Sequence, residues 1–369
     1  MFNSTIDFKF LIKVMFLTFF SVGVLAKATN SNGFQNIDAD YYSYSTSATN
    51  TIPEQSKFSS SGIFRLYGNY ALENTDIIKF KVEYRDTYTT VTPKDFVINN
   101  VGAVGLIEPQ FSDIGFRLTN LYWHNNLTEK TEINIGFLDT TNYLDTYILG
   151  NPWAGFNNFI FSTGSGTLTM PDEGTLGLSI KHIFDNNYYA LASVTDANAL
   201  SSRPFDNLMR GEFFKSIELG WVQSVDEFYT KNIHLLYWEL DGGSRLSQQD
   251  SSGYNFSLAY QVQNFLPFIR AGISEGDASL LSRNITLGTG YFLNNSQNST
   301  FGFAIGFGEP NKELFKRQLE HQTTTEIFLK TTVGPNLTLT PSLQYLRGLP
   351  FNSEENNALV AGLRINLTF

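Results

Sequence analysis

The chain has 369 residues, no cysteine and a formal net charge of −10. The lack of cysteine excludes a disulfide framework and thiolate metal sites, and the acidic balance argues against a nucleic-acid partner. Aromatic residues make up 15 % of the chain, with 33 Phe and 18 Tyr, at a mean hydropathy of −0.15. Those values suit strands that turn one face to lipid and one to water.

At the N-terminus, Lys9 and Lys13 precede an apolar run from Val14 to Leu25, and Ala26-Lys27-Ala28 offers a small-x-small cleavage pattern. This is the layout of a secretory signal peptide over residues 1–28. The run is about a dozen residues, short of the roughly 20 that cross a bilayer as a helix. No long apolar run follows, so any crossing is made by strands. Residues 29–61 are rich in Ser, Thr, Asn and Tyr without usable periodicity. They read as an N-terminal periplasmic or plug-like segment ahead of a barrel over 62–369.

Alternation begins after Ser61. Phe64, Leu66, Tyr70 and Leu72 alternate with Arg65, Tyr67 and Asn69, and Glu73 to Asp76 form a turn. Ile78, Phe80, Val82 and Tyr84 then alternate with Lys79, Lys81, Glu83 and Arg85. Residues 87–113 read as a long outer loop with a return strand. Phe116 to Trp123 and Glu132 to Phe137 make a second hairpin. The longest irregular piece, 139–174, is aromatic enough to be ordered, and a connection of that length is usually functional. Strand-like segments follow at short intervals from Thr175 onward, with tight turns such as Asp185-Asn186-Asn187 alternating with longer loops.

The last segment is the most regular. Leu359, Ala361, Leu363, Ile365, Leu367 and Phe369 form an apolar face, against Ala358, Val360, Gly362, Arg364, Asn366 and Thr368. Period two over about ten residues is a strand long enough, when tilted, to span the hydrocarbon. An unpaired edge this regular invites aggregation, and a closed barrel removes it. Phe369 is assigned to closing that barrel. About fifteen segments are visible, and an even total of sixteen places a hidden strand in 87–113 or 139–174. The fold class is therefore an all-β, transmembrane antiparallel β-barrel of sixteen strands.

Several stretches resemble the carbohydrate-selective porins of the OprB family. They are Lys79-Phe80-Lys81-Val82-Glu83-Tyr84-Arg85, Leu121-Tyr122-Trp123-His124, Glu132-Ile133-Asn134-Ile135-Gly136 and Asn151-Pro152-Trp153-Ala154-Gly155-Phe156. Pro171-Asp172-Glu173-Gly174-Thr175-Leu176-Gly177, Val194 to Ala199 and Leu339 to Tyr345 continue the resemblance. It covers roughly 62–369 and implies an outer-membrane channel for sugars and other small hydrophilic solutes, with no catalysis. The short N-terminal segment departs from the family.

A pore that favours sugars needs aromatic platforms and groups that replace water hydrogen bonds. Rings of charge also set ion preference. The candidates are Arg65, Lys79, Lys81, Glu83, Arg85 and Arg117, with Trp123 and Trp153 as platforms. The bland alternative is an ordinary water-filled wall whose charges pair with one another. Trp123, Trp221 and Trp238 can also be interface anchors, and Trp221 shares a face with Ile217 and Leu219, which assigns it to lipid.

Enzyme signals are weak. His124, His182, His234 and His321 lack metal-ligand spacing, Gly164-Ser165-Gly166 is not a nucleophile elbow, and Gly288-Thr289-Gly290 lacks a third glycine. No cofactor or metal is expected. The triplets at Asn255, Asn284 and Asn366 place Asn and hydroxyl on the inward face. The alternative readings are a barrel enzyme or adhesin using the barrel as an anchor, and a secreted soluble β-protein. The expected partners are mono- or oligosaccharides, outer-membrane lipid and lipopolysaccharide, and the barrel-assembly machinery, at a Gram-negative outer membrane.

Overall fold

The computed structural model describes residues 33–369, apart from 73–74, 207, 209 and 294–297. The signal-peptide reading of 1–28 lies outside the described residues. Sixteen antiparallel strands close into one barrel, each bonded to its neighbours in sequence and the last to the first. The first eight are β1 (Gly33–Ala48), β2 (Phe58–Ala71), β3 (Asp76–Thr87), β4 (Gly115–Thr128), β5 (Thr131–Leu138), β6 (Thr175–Ile183), β7 (Tyr188–Asp196) and β8 (Phe213–Val222). The rest are β9 (Lys231–Leu240), β10 (Ser251–Tyr260), β11 (Phe265–Glu275), β12 (Leu281–Phe292), β13 (Thr300–Pro310), β14 (Gln322–Val333), β15 (Leu337–Arg347) and β16 (Asn357–Thr368). Among the described residues no helix is long and apolar enough to cross a membrane.

The strand count matches the expectation, but the strand expected in 87–113 or 139–174 lies elsewhere. It is β1, inside the stretch read as a periplasmic or plug-like segment, so the barrel starts at residue 33 rather than 62. β1 hides because its polarity is inverted. Tyr42, Tyr44 and Thr46 face inward and are buried, while Ser43, Ser45 and Ser47 occupy the outward row. An outward row of serines gives no apolar period to read.

Elsewhere the outward rows are apolar, and burial runs opposite to that of a soluble protein. Leu363 is 40 % exposed, whereas its neighbour Arg364 is 1 % exposed. Exposed rows of Leu, Ile and Phe recur on most strands, as a lipid-facing wall requires. Short turns, the longest being 223–230, lie at the end that carries the C-terminus, and the long connections 88–114 and 139–174 lie at the other.

The barrel closes through its last strand as expected, on β1. Ser45 opposes Leu363 and Tyr44 opposes Arg364, and the Phe369 N–H donates to the Ala39 carbonyl at 3.0 Å. Leu363 sits at the middle of β16, facing outward beside this seam. Leu363→Arg should therefore cost roughly 2–4 kcal/mol at the bilayer midplane. The yield of folded, heat-modifiable barrel in membranes should fall, as it should on deletion of Phe369. Normal assembly of both variants would argue against a seam in hydrocarbon.

Candidate pore constriction

A sixteen-strand barrel is too wide for its own side chains to fill. Two connections do the filling. The 88–114 connection starts with a short helix, Pro93–Phe96, capped by the Thr92 hydroxyl on the Asp95 N–H at 3.2 Å, with Pro at the first turn. Its Phe96, Val101, Ile107 and Phe111 pack on Tyr42, Tyr44, Ile63 and Val360 of β1, β2 and β16. In the 139–174 connection, Leu144 and Leu168 pack on Tyr189, Phe214 and Trp238 of β7–β9. Further along, Phe156, Ile160 and Phe161 pack on Phe268, Ala304 and Phe328 of β11–β14. β3, β4 and β5 contribute nothing to these clusters. The open passage therefore runs along their wall.

Buried polar groups fix the loops in register on the apolar surface. Asp145 receives Arg270 from β11 and His234 from β9, the latter at 2.8 Å, and its own N–H donates to Glu218 on β8 at 2.7 Å. Burial works against the Asp145 charge, yet Arg270 and His234 hold its carboxyl below the usual range. Glu326 on β14 accepts the backbone N–H groups of Asn157 and Asn158 at 2.8 and 2.9 Å. Arg364 on β16 binds Glu108 at 2.5 Å and the carbonyls of Pro152 and Gly155 at 3.0 and 2.8 Å. One arginine thus ties both connections to the closing strand.

Along the open wall, β-pairing sets the charges in order. Asp40 opposes Arg65, Arg65 opposes Glu83, and Glu83 opposes Arg117, so one inward row alternates in sign across β1–β4. Arg85, the next inward residue of β3, donates to Glu83 at 2.8 Å and to Glu173 at 2.5 Å. Arg117 reaches Asp172 at 2.7 Å and Glu173 at 3.2 Å. Burial raises the Glu173 carboxyl, but Arg117 and Arg85 overcome this and bring it down to about 2. Gly174 permits the approach, since a Cβ at this φ of +75° would collide with the Leu118 carbonyl.

Two cavities flank this row. The upper one, of about 480 Å³, is lined by Arg85, Arg117, Asp139, Trp153 and Asp172 among others. The lower one, of about 290 Å³, is lined by Arg65, Lys79, Lys81, Asn120 and Tyr122 among others. They meet at a waist. Lys81 from below binds Asp139 from above at 3.3 Å, and the Arg65 guanidinium lies 4.0 Å from the Trp153 ring centre. Burial pushes the Asp139 carboxyl up despite Lys81.

The structure thus brings Arg65, Lys79, Lys81, Glu83, Arg85, Arg117 and Trp153 to one passage. Trp123 is placed elsewhere. It stands opposite Ile78 and Ile135 in the outward rows, and its indole N–H donates to Asp76 at 2.9 Å. That position suits an interface anchor and not a pore platform. Trp238, in contrast, is fully buried facing inward, so it anchors no interface, while Trp221 lies in the row of Leu219 as expected. Asn255 and Asn284 do face inward, where they hold the carbonyls of Gly164 and Ser165. The carboxylates of Asp40, Asp139, Asp172 and Glu173 went unread among the candidates. The one signal for any of them was the Pro171-Asp172-Glu173-Gly174 motif.

The barrel and its inward connection are the architecture of an outer-membrane porin. Residues 224–369, which contain β9–β16, match the family model for "Carbohydrate-selective porin, OprB family". The resemblance read from the sequence is borne out over these residues, and the family match and the barrel fold together support a passive channel of the bacterial outer membrane. The structure of Pseudomonas putida OprB at high pH superposes with a TM-score of 0.74 at 14 % identity, covering 91 % of this chain and 94 % of that one. The outer-membrane channel DcaP of Acinetobacter baumannii gives 0.56 at 11 % identity, with 94 % and 100 % covered. A triple mutant of the Rhodopseudomonas blastica porin gives 0.54 at 11 %, with 90 % and 99 % covered. No curated protein matches the sequence.

Opposite substitutions at one ion pair should act in opposite directions. Arg85→Ala leaves Glu83 and Glu173 without their shared partner and should shift selectivity toward cations, as should Lys81→Ala. Glu173→Gln frees Arg85 and Arg117 and should shift it toward anions. Reversal potentials in a salt gradient read both, and no shift in either direction places the current elsewhere. Separately, Arg270→Met takes the arginine from the buried Asp145 carboxylate, leaving His234 as its side-chain partner, and should cost about 3–5 kcal/mol, seen as a lower unfolding temperature and noisier open-channel current.

Proposed function

We propose that the protein is a diffusion porin for carbohydrates and other small hydrophilic solutes, with its constriction at the waist formed by Arg65, Lys81, Asp139 and Trp153. The observation that carries this reading is the pairing of charges along the passage. Each inward arginine of the wall has a carboxylate partner, so the row offers donors and acceptors side by side with little net field. A polyol needs both donors and acceptors to replace its water. Trp153 adds an apolar ring where the two cavities meet, suited to the weakly apolar face of a sugar.

The barrel-enzyme or adhesin reading gains less support. His234 and Asp145 do come together, but both are buried and engaged in holding the 139–174 connection. The two long connections fold inward to narrow the lumen. Contacts with outer-membrane lipid and lipopolysaccharide, and folding by the barrel-assembly machinery, belong to this same proposal, as does secretion by the N-terminal signal peptide.

Reconstituted into liposomes, the protein should allow swelling in glucose. Trp153→Ala should weaken sugar block of the single-channel current by about two- to tenfold, the range expected for one aromatic contact, while conductance stays or rises. Liposomes that stay tight to glucose would overturn the reading.

A further inference from the structure

We propose that the lower cavity is a binding site for sugar acids, polyhydroxy compounds bearing one carboxylate, and not only a stretch of passage for neutral sugars. This rests on the porin reading above and names a substrate class for it. Of the five cations on the wall, Arg65, Lys81, Arg85 and Arg117 are each tied to a carboxylate. Lys79 is not. Among the described residues it has no ion pair, its ammonium lying 5.9 Å from the centre of the Tyr122 ring. Beyond it, Glu132 pairs with Lys181 at 3.0 Å, so its attraction reaches Lys79 only from a distance and Lys181 opposes it.

A second observation is independent of the charge. Asn120 lies on the same cavity, is 5 % exposed, and its side-chain N–H₂ has no hydrogen-bond partner. The Arg65 Nε donor is likewise unpartnered. Buried donors without acceptors are costly unless a ligand or water supplies the acceptor. Orphaned donors beside a free ammonium call for an anionic, acceptor-rich group. A carboxylate fits this, taking Lys79 and Asn120 together.

The opposite side of the cavity has the complementary chemistry. Asp38 and Tyr67 face each other across β1 and β2 on the same lining, and Asp38 is exposed. Its carboxylate repels a bare anion but accepts hydrogen bonds from hydroxyls, and Tyr67 offers a ring. One end of the cavity thus suits a carboxylate and the other a set of hydroxyls. Simple carboxylates lack the second half.

The test uses the full-length mature barrel in planar bilayers at constant ionic strength, with glucose, glucuronate and acetate as blockers. Glucuronate should block the current at about tenfold lower concentration than glucose, the effect of one charge-assisted hydrogen bond. Lys79→Met, which keeps the stem beside Tyr122 and breaks no ion pair, should bring the two to parity. Lys79→Arg should retain the preference, and Asn120→Ala should reduce it. Equal block by glucose and glucuronate in the unmodified channel overturns the inference and leaves the porin reading standing. Survival of the preference in Lys79→Met overturns it as well. Acetate blocking as well as glucuronate would mean a site for plain anions and no sugar recognition. A barrel that opens no conductance removes both readings at once.

Discussion

Every strand N–H and C=O in hydrocarbon needs a partner within the sheet, and the pairing of β1 with β16 is the step that leaves none at an edge. The rest of the molecule follows from that closure. Sixteen strands fix a circumference that lipid-facing Leu, Ile and Phe can solvate from outside but inward side chains cannot fill. A lumen of that width either stays a wide aqueous hole or is narrowed by chain from the loops. Here the 88–114 and 139–174 connections enter it, and they bring their own apolar residues to pack against the inner wall.

Apolar packing explains why the connections stay inside but not where each residue stops. Phe156 or Ile160 could slide along a greasy wall by a few ångströms at little cost, because the hydrophobic effect has no direction. The buried polar nodes supply the direction. Asp145 can be satisfied only where Arg270 and His234 converge, and Asn157 and Asn158 only over Glu326. Buried ion pairs are weak evidence for stability, since desolvation offsets much of the attraction. Their stronger effect here is on register. Misplacing the loop by one residue would leave several buried charges unpaired together, which is far worse than losing any single contact.

The parts of this design that repeat with period two were legible in the sequence. β3 and β16 read correctly because each sets a complete apolar row against a polar one. β1 did not, because its outward row is serine and its inward row is tyrosine, committed to packing on Phe111 and Trp153. The basic half of the proposed constriction was legible for the same reason, since Lys79, Lys81 and Arg85 sit on a strand with unambiguous direction. Its acidic half was not. Asp139, Asp172 and Glu173 lie at the two ends of an irregular connection, and no local periodicity aims them at the wall. Of the two readings open for Trp123, platform and interface anchor, the fold favours the second, because a bulge opposite Lys81 and Val82 shifts the register within β4 and turns Trp123 off the face of Arg117.

Reading one half of the proposed constriction without the other changes the physics inferred from it. Five bases and one acid on inward positions suggest a positive ring acting at a distance on passing ions. The folded chain instead sets charges of alternating sign on adjacent strands about 4.8 Å apart, and the field of such an alternation dies away within roughly the spacing itself. An ion in the middle of the passage feels little of it, and salt screens what remains. A solute in contact with the wall meets strong, fixed donors and acceptors at every step. Such a wall discriminates by touch, so it favours molecules with many hydroxyls over molecules with only a charge. The same pairing makes an exception conspicuous. Where one ammonium is left without a partner beside an orphaned amide, the wall regains a local sign, and selectivity by charge can return at that point alone.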